Sequence, residues 1–118
     1  MIRYGEEIGR GEDLRLKERY ASRTPMQWSN LPGGGFSTAK KSALVRPVGD
    51  DDTFGYEVVN VDDERDDAGS LLAWFERMFG SLRECPELGA GQLTLLDSER
   101  DHVLALRYEL AGKQMVAV

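Results

Sequence analysis

The chain has 118 residues, 41% hydrophobic and 31% charged, a composition that suits one small folded domain and excludes wholesale disorder. Its formal net charge is −6, with 15 basic residues scattered among 21 acidic ones. That argues against a nucleic-acid partner, which needs a clustered basic surface. Cys85 is the single cysteine, so neither an internal disulfide nor a metal site of paired cysteines can form. No apolar run approaches the roughly 20 residues of a membrane helix, and residues 1–20 carry a charge in every short window, unlike a signal-peptide core. The expectation is a soluble protein in a reducing, cytoplasmic compartment, with no cofactor and no membrane partner.

In chain order, residues 1–65 are poor in periodicity and rich in Gly, Pro, Asp and Asn. Glu12–Arg19 predicts a short helical turn. Turn chemistry marks Pro32-Gly33-Gly34-Gly35, Gly49-Asp50-Asp51-Asp52 and Asn60 to Asp63. So long a stretch without regular elements is uncommon inside a compact domain, but it fits a long loop that carries function. The clearest helix is predicted over about Ala68 to Glu84. Leu71, Phe75, Met78 and Leu82 recur at helical spacing, flanked by Leu72 and Phe79. Asp66 or Asp67 is placed to cap its amino end, Gly69 weakens the first turn, and Pro86 stops the helix. After Gly89 and Gly91 the period changes to two. Strands are predicted over about 92–96, 102–110 and 114–118, the last two joined as a hairpin through Ala111-Gly112-Lys113. The chain stops within an apolar strand, an edge that needs a partner.

Several short motifs stand in order along the chain: Tyr4-Gly5-Glu6-Glu7-Ile8-Gly9, Arg23-Thr24-Pro25-Met26-Gln27-Trp28-Ser29, Gly34-Gly35-Phe36-Ser37, Phe54-Gly55-Tyr56, Val59-Asn60-Val61 and Leu71-Leu72-Ala73-Trp74. Together they resemble the end of an α-amylase-superfamily catalytic domain, most closely the trehalose synthases, which are maltose glucosyltransferases. The resemblance implies an α+β fragment: the last strand–loop–helix unit of a TIM-type barrel, then the first antiparallel strands of a C-terminal β-domain. Residues 1–88 would end the barrel and 89–118 would begin the β-domain. Met1 to Arg3 would be the remnant of the eighth strand, and the irregular stretch the loop that follows it, where barrel active sites lie.

The resemblance also bears on chemistry. Retaining enzymes of this kind need a carboxylate nucleophile and a carboxylic acid roughly 5 Å apart, which the superfamily supplies from earlier strands. No residue here matches them, so no catalytic residue is carried over and the chain alone is expected to be inactive. Substrate binding does carry over. Arg23 matches the arginine at the floor of the pocket for the non-reducing glucose, where it pairs with an upstream Asp, and a guanidinium can fork two bonds to a carboxylate while still offering donors to hydroxyls. Glu6 and Glu7 match an acidic pair near the cleft rim. The expected ligand of an intact parent is maltose or trehalose. Leu44-Val45-Arg46-Pro47-Val48, with the two motifs after it, favours trehalose synthase over the α-glucosidases, although Lys17-Glu18-Arg19-Tyr20-Ala21-Ser22 departs from the family pattern before the Arg-Thr-Pro run.

Plainer readings stand beside these. Adjacent Glu6 and Glu7 point apart in an extended strand and make a poor acid–base pair. Asp50–Asp52 and Asp62–Glu64 lack the ligand pattern of a calcium loop and read as solvated loops. His102 opens a strand with no nucleophile beside it. Gly33–Gly35 precedes no Lys-Ser/Thr and is not a phosphate loop. Trp28 and Trp74 are the only stacking candidates for a carbohydrate-binding module. A non-catalytic alternative is a remnant that forms a homo-oligomer through the exposed apolar face of its helix.

Overall fold

A computed structural model describes residues 2–118, and the polypeptide divides into two compact units, one ending at Glu76 and the other running over Arg77–Val118. This grouping by contacts differs in kind from the division at 88/89, which follows motif order.

The first unit is mostly irregular chain, punctuated by 3₁₀ turns at Glu6–Ile8, Glu18–Tyr20, Pro32–Gly35 and Lys41–Ala43. The helical turn expected over Glu12–Arg19 forms later, at Glu18–Tyr20, because the Asp13 side chain accepts the Arg15 amide and bends residues 13–16 into a non-helical turn. Ile2 and Arg3 are not in a strand: among the described residues no neighbour pairs with them, and Met1 lies outside the described residues.

Two helices follow, α1 (Val61–Asp66) and α2 (Leu71–Glu84). The turn expected at Asn60 to Asp63 is instead the start of α1. Asn60 is its N-cap, its side chain accepting the Asp63 amide at 2.9 Å, and Asp62, Asp63 and Glu64 sit at the positive helix end. The main-chain carbonyls of Gln27 and Trp28 accept the Val61 and Asp62 amides at 2.9 and 3.0 Å. The first three amides of α1, which have no acceptor within the helix, are therefore all satisfied. The cap of α2 is Ser70, whose hydroxyl accepts the Ala73 amide at 3.1 Å, and Glu64 accepts the Leu72 amide. Neither Asp66 nor Asp67 serves: the Asp67 carboxylate turns to the Gly69 amide, and the helix starts three residues later than expected.

The core of this unit is small. Ile8, Met26 and Val61 are buried together, with Val59 and Leu72 packed against them. Gln27 and Asn60 are fully buried polar side chains in the same region. Gly34 adopts φ 62°, and a Cβ there would stand 2.9 Å from the Val48 side chain. Its carbonyl accepts the amides of both Trp28 and Ser29, which pins the glycine turn onto the Met26–Ser29 run.

Charge ties distant loops together. Arg15 forks onto Asp13 at 2.7 and 2.9 Å and reaches Asp50 at 2.6 Å, while Lys41 also pairs with Asp50. The Arg15 bonds hold the Asp13 carboxyl below its ordinary range, and Lys41 followed by Arg15 does the same for Asp50. Unfolded, these carboxyls take up protons near about pH 4; folded, they do so only at lower pH. The unfolded state therefore binds more protons in between, and stability is lost as pH falls through that window. The urea midpoint of the first unit is expected to hold from pH 7 to 5 and drop by pH 3. Asp50→Asn should flatten that drop, and a midpoint unchanged at pH 3 in the parent chain would refute the assignment.

In the second unit a short helix α3 (Glu87–Ala90) leads into a three-stranded antiparallel meander, β1 (Gln92–Leu96), β2 (Ala105–Leu110) and β3 (Lys113–Ala117), in the order β1-β2-β3. Leu95 pairs with Leu106 and Tyr108 with Met115. Ala111 and Gly112 both have positive φ, the two-residue type I′ geometry whose twist suits a hairpin. β2 starts at Ala105, three residues later than expected, so the exposed His102 is not in a strand. The Ser98 hydroxyl, hydrogen-bonded to the Arg100 and Val103 carbonyls, folds that stretch into a turn first. No helix of the described residues is long and apolar enough to cross a membrane.

Candidate functional site

Arg3 and Tyr4, just ahead of the Glu6–Ile8 turn, and the Arg19–Thr24 stretch enclose a groove of about 480 Å³, lined by Arg3, Tyr4, Arg19, Ser22, Arg23 and Thr24. The Arg23 amide donates to the Tyr20 carbonyl at 3.1 Å. Its side chain is exposed, and the guanidinium makes no hydrogen bond or ion pair among the described residues. Glu6 and Glu7 do not line the groove. Glu6 accepts the Arg3 amide at 2.9 Å and lies 3.8 Å from its guanidinium, and Glu7 accepts the Gly5 amide at 2.8 Å. Both carboxylates thus fold back on the turn that carries them. Trp28, 42% exposed, lies outside the groove, and its main chain is engaged by Gly34 and Asp62.

The groove is a donor surface. Guanidinium N–H groups and the hydroxyls of Tyr4, Ser22 and Thr24 suit a polyhydroxylated or anionic ligand. None of its lining residues is a carboxylate, so by itself it holds no acid–base pair. A separate cavity of about 510 Å³ lies among Pro32, Lys41, Leu44, Val48, Asp50 and Tyr56. Its Asp50 is already engaged by Lys41 and Arg15, while Ser37, Thr38 and Lys40 also line it.

Arg10 is the residue that the sequence reading missed. Its Nη1 donates to the carbonyl and hydroxyl of Thr24, and its Nη2 to the carbonyls of Ser22 at 2.9 Å and Tyr4 at 3.2 Å. Its guanidinium carbon lies 5.9 Å from the Tyr4 ring centre. Burial pushes the guanidinium below the ordinary arginine value, with Tyr4 and Glu7 acting in the opposite sense. Gly5, at φ 93°, leaves the space that Arg10 fills, since a Cβ there would stand 2.4 Å from Nε. An arginine bracketed by Gly5, Gly9 and Gly11 was the available signal.

No family model matches the chain. The fold is nevertheless that of a C-terminal part of α-amylase-family enzymes. The crystal structure of an α-glucosyl transfer enzyme, XgtA, superposes with a TM-score of 0.72 at 25% identity, over 95% of this chain and 22% of that one. In sequence the chain is homologous to proteins named trehalose synthase. It is 39% identical over 120 residues to the trehalose synthase of Thermus thermophilus, covering 100% of this chain and 12% of that protein. It is 37% identical over 112 residues to the trehalose synthase/amylase of Mycobacterium tuberculosis, covering 95% of this chain and 19% of the relative. The chain therefore spans less than a quarter of the length of each of these relatives.

Proposed function

We propose that the chain forms part of the glucose-binding wall of a retaining glucosyltransferase that interconverts maltose and trehalose, with the catalytic carboxylates lying outside these residues. The observation that carries this reading is the placement of Arg23. It stands in a groove of hydrogen-bond donors with its guanidinium uncommitted among the described residues, flanked by Tyr4 from the other motif of the resemblance. A glucosyl unit held there would be fixed for attack by groups the groove lacks, and such positioning supplies a large part of catalysis. On this reading Glu6 and Glu7 shape the rim through the turn they stabilise.

The test is a chimera in which this chain replaces the matching segment of the Thermus thermophilus trehalose synthase. Conversion of maltose to trehalose is the expected outcome, with no turnover by the 118-residue chain alone. Release of glucose without trehalose would favour an α-glucosidase parent. A folded chimera that does neither would refute the proposal. One observation favours a second reading, a non-catalytic chain that self-associates: Leu71, Trp74 and Leu82 on α2 are each at least 40% exposed. Sedimentation of the chain as a monomer across its soluble concentration range would sink that reading.

A further inference from the structure

We propose that Arg10 is the positioning residue of the Arg23 groove, a clamp that sets the backbone on either side of Arg23 before any ligand arrives. Every hydrogen-bond acceptor of its guanidinium belongs to a residue that lines the groove: Tyr4, Ser22 and Thr24. Ser22 and Thr24 are the two chain neighbours of Arg23. One planar group therefore holds both flanks of Arg23 and ties them to the opposite wall at Tyr4. No carboxylate is among these acceptors, so the group does not act as an ordinary ion pair. A partly buried cation that bonds only to neutral acceptors is a costly way to gain stability. It is an effective way to fix geometry, because a guanidinium presents its donors in a rigid fork.

The local sequence is built around this group. Gly5 provides the room, and the Arg10 amide donates to the Gly5 carbonyl at 3.0 Å, so backbone and side chain of Arg10 grip the same turn. Lysine cannot replace it: one ammonium on a flexible stem does not span acceptors on two segments in a plane. Part of this assignment rests on the proposed glucose-binding role, because that is what makes the position of Arg23 matter. The clamp itself can be tested without any sugar.

The deciding experiment is amide hydrogen exchange, followed residue by residue by NMR, on the 118-residue chain and its Arg10→Lys and Arg10→Met variants. Both variants are expected to speed exchange at the Arg23 amide by about tenfold or more, the loss of charged hydrogen bonds read locally. The amides of Trp28 and Val61 in the same unit should change by less than about twofold. An unchanged Arg23 amide, full rescue by lysine, or equal acceleration at Arg23, Trp28 and Val61 would each overturn the clamp. In the chimera, Arg10→Lys is expected to raise KM for maltose by about tenfold while changing kcat less, the signature of binding lost equally from substrate and transition state. An inactive chimera with the exchange result intact would reject the glucose-binding reading and leave the clamp standing.

Discussion

Gln27→Ala is expected to destabilise the first unit by about 3 kcal/mol, the sum of two lost hydrogen bonds and a cavity. Gln27 is 1% exposed, and its Nε2 donates to the Phe54 carbonyl at 2.9 Å and to the Val59 carbonyl. Its main-chain carbonyl, which the substitution keeps, accepts the first amide of α1. One side chain thus joins the Arg23–Ser29 run to the loop at Phe54 and to Val59, two residues ahead of α1. Deleting it leaves two carbonyls without that donor and a void where its amide fills the space beside Gly49 and Phe54. Gln27→Met separates the two contributions, since it keeps most of the volume and removes both bonds. It should cost about 2 kcal/mol, leaving the remainder to the cavity. Urea titration followed by tryptophan fluorescence reads the correct unit, because Trp28 and Trp74 both precede Glu76. Losses below about 0.5 kcal/mol for both variants, the range of an ordinary surface change, would refute this role.

The contrast between Gln27 and the β-strands shows what could be read from residue order. The strand Gln92–Leu96 and the Ala111-Gly112 turn have local causes, an alternating pattern and residues that accept positive φ, so both were legible. α2 was legible in its helical type and its end but not in its start. Several residues between 66 and 70 have capping chemistry, and only the Ser70 hydroxyl lies where the first turn can use it. α1 was hidden by an ambiguity of type: Asn and Asp mark turns and helix caps alike, and the choice was made by carbonyls about thirty residues earlier, at Gln27 and Trp28. Arg10 and Gln27 were illegible for the same reason. Their acceptors are mostly main-chain carbonyls 6–14 and 27–32 residues away, and a carbonyl carries no sequence signature. Arg23 is singled out by the resemblance of its motif alone. As a bare residue it is one exposed arginine among fifteen basic side chains.

Arg23→Ala in the chimera is expected to lower kcat/KM for maltose by about 100-fold, equivalent to about 2.7 kcal/mol of transition-state stabilisation. That figure is what two charge-assisted hydrogen bonds to one sugar supply when both are lost. The alternative is that Arg23 acts through charge alone, and Arg23→Lys decides between them. Lysine keeps the charge but replaces a planar fork with a point donor, so it should recover less than about a tenth of the lost activity. The structure argues that the loss is local. The Arg23 guanidinium bonds to nothing among the described residues, while its backbone is held by Tyr20 and, at both flanks, by Arg10. The variant should therefore unfold at the same urea concentration as the parent chain, which separates it from Gln27→Ala. If Arg23→Ala retained more than about a third of the activity, less than one hydrogen bond would be at stake, and the groove would have to be assigned to something other than the glucose.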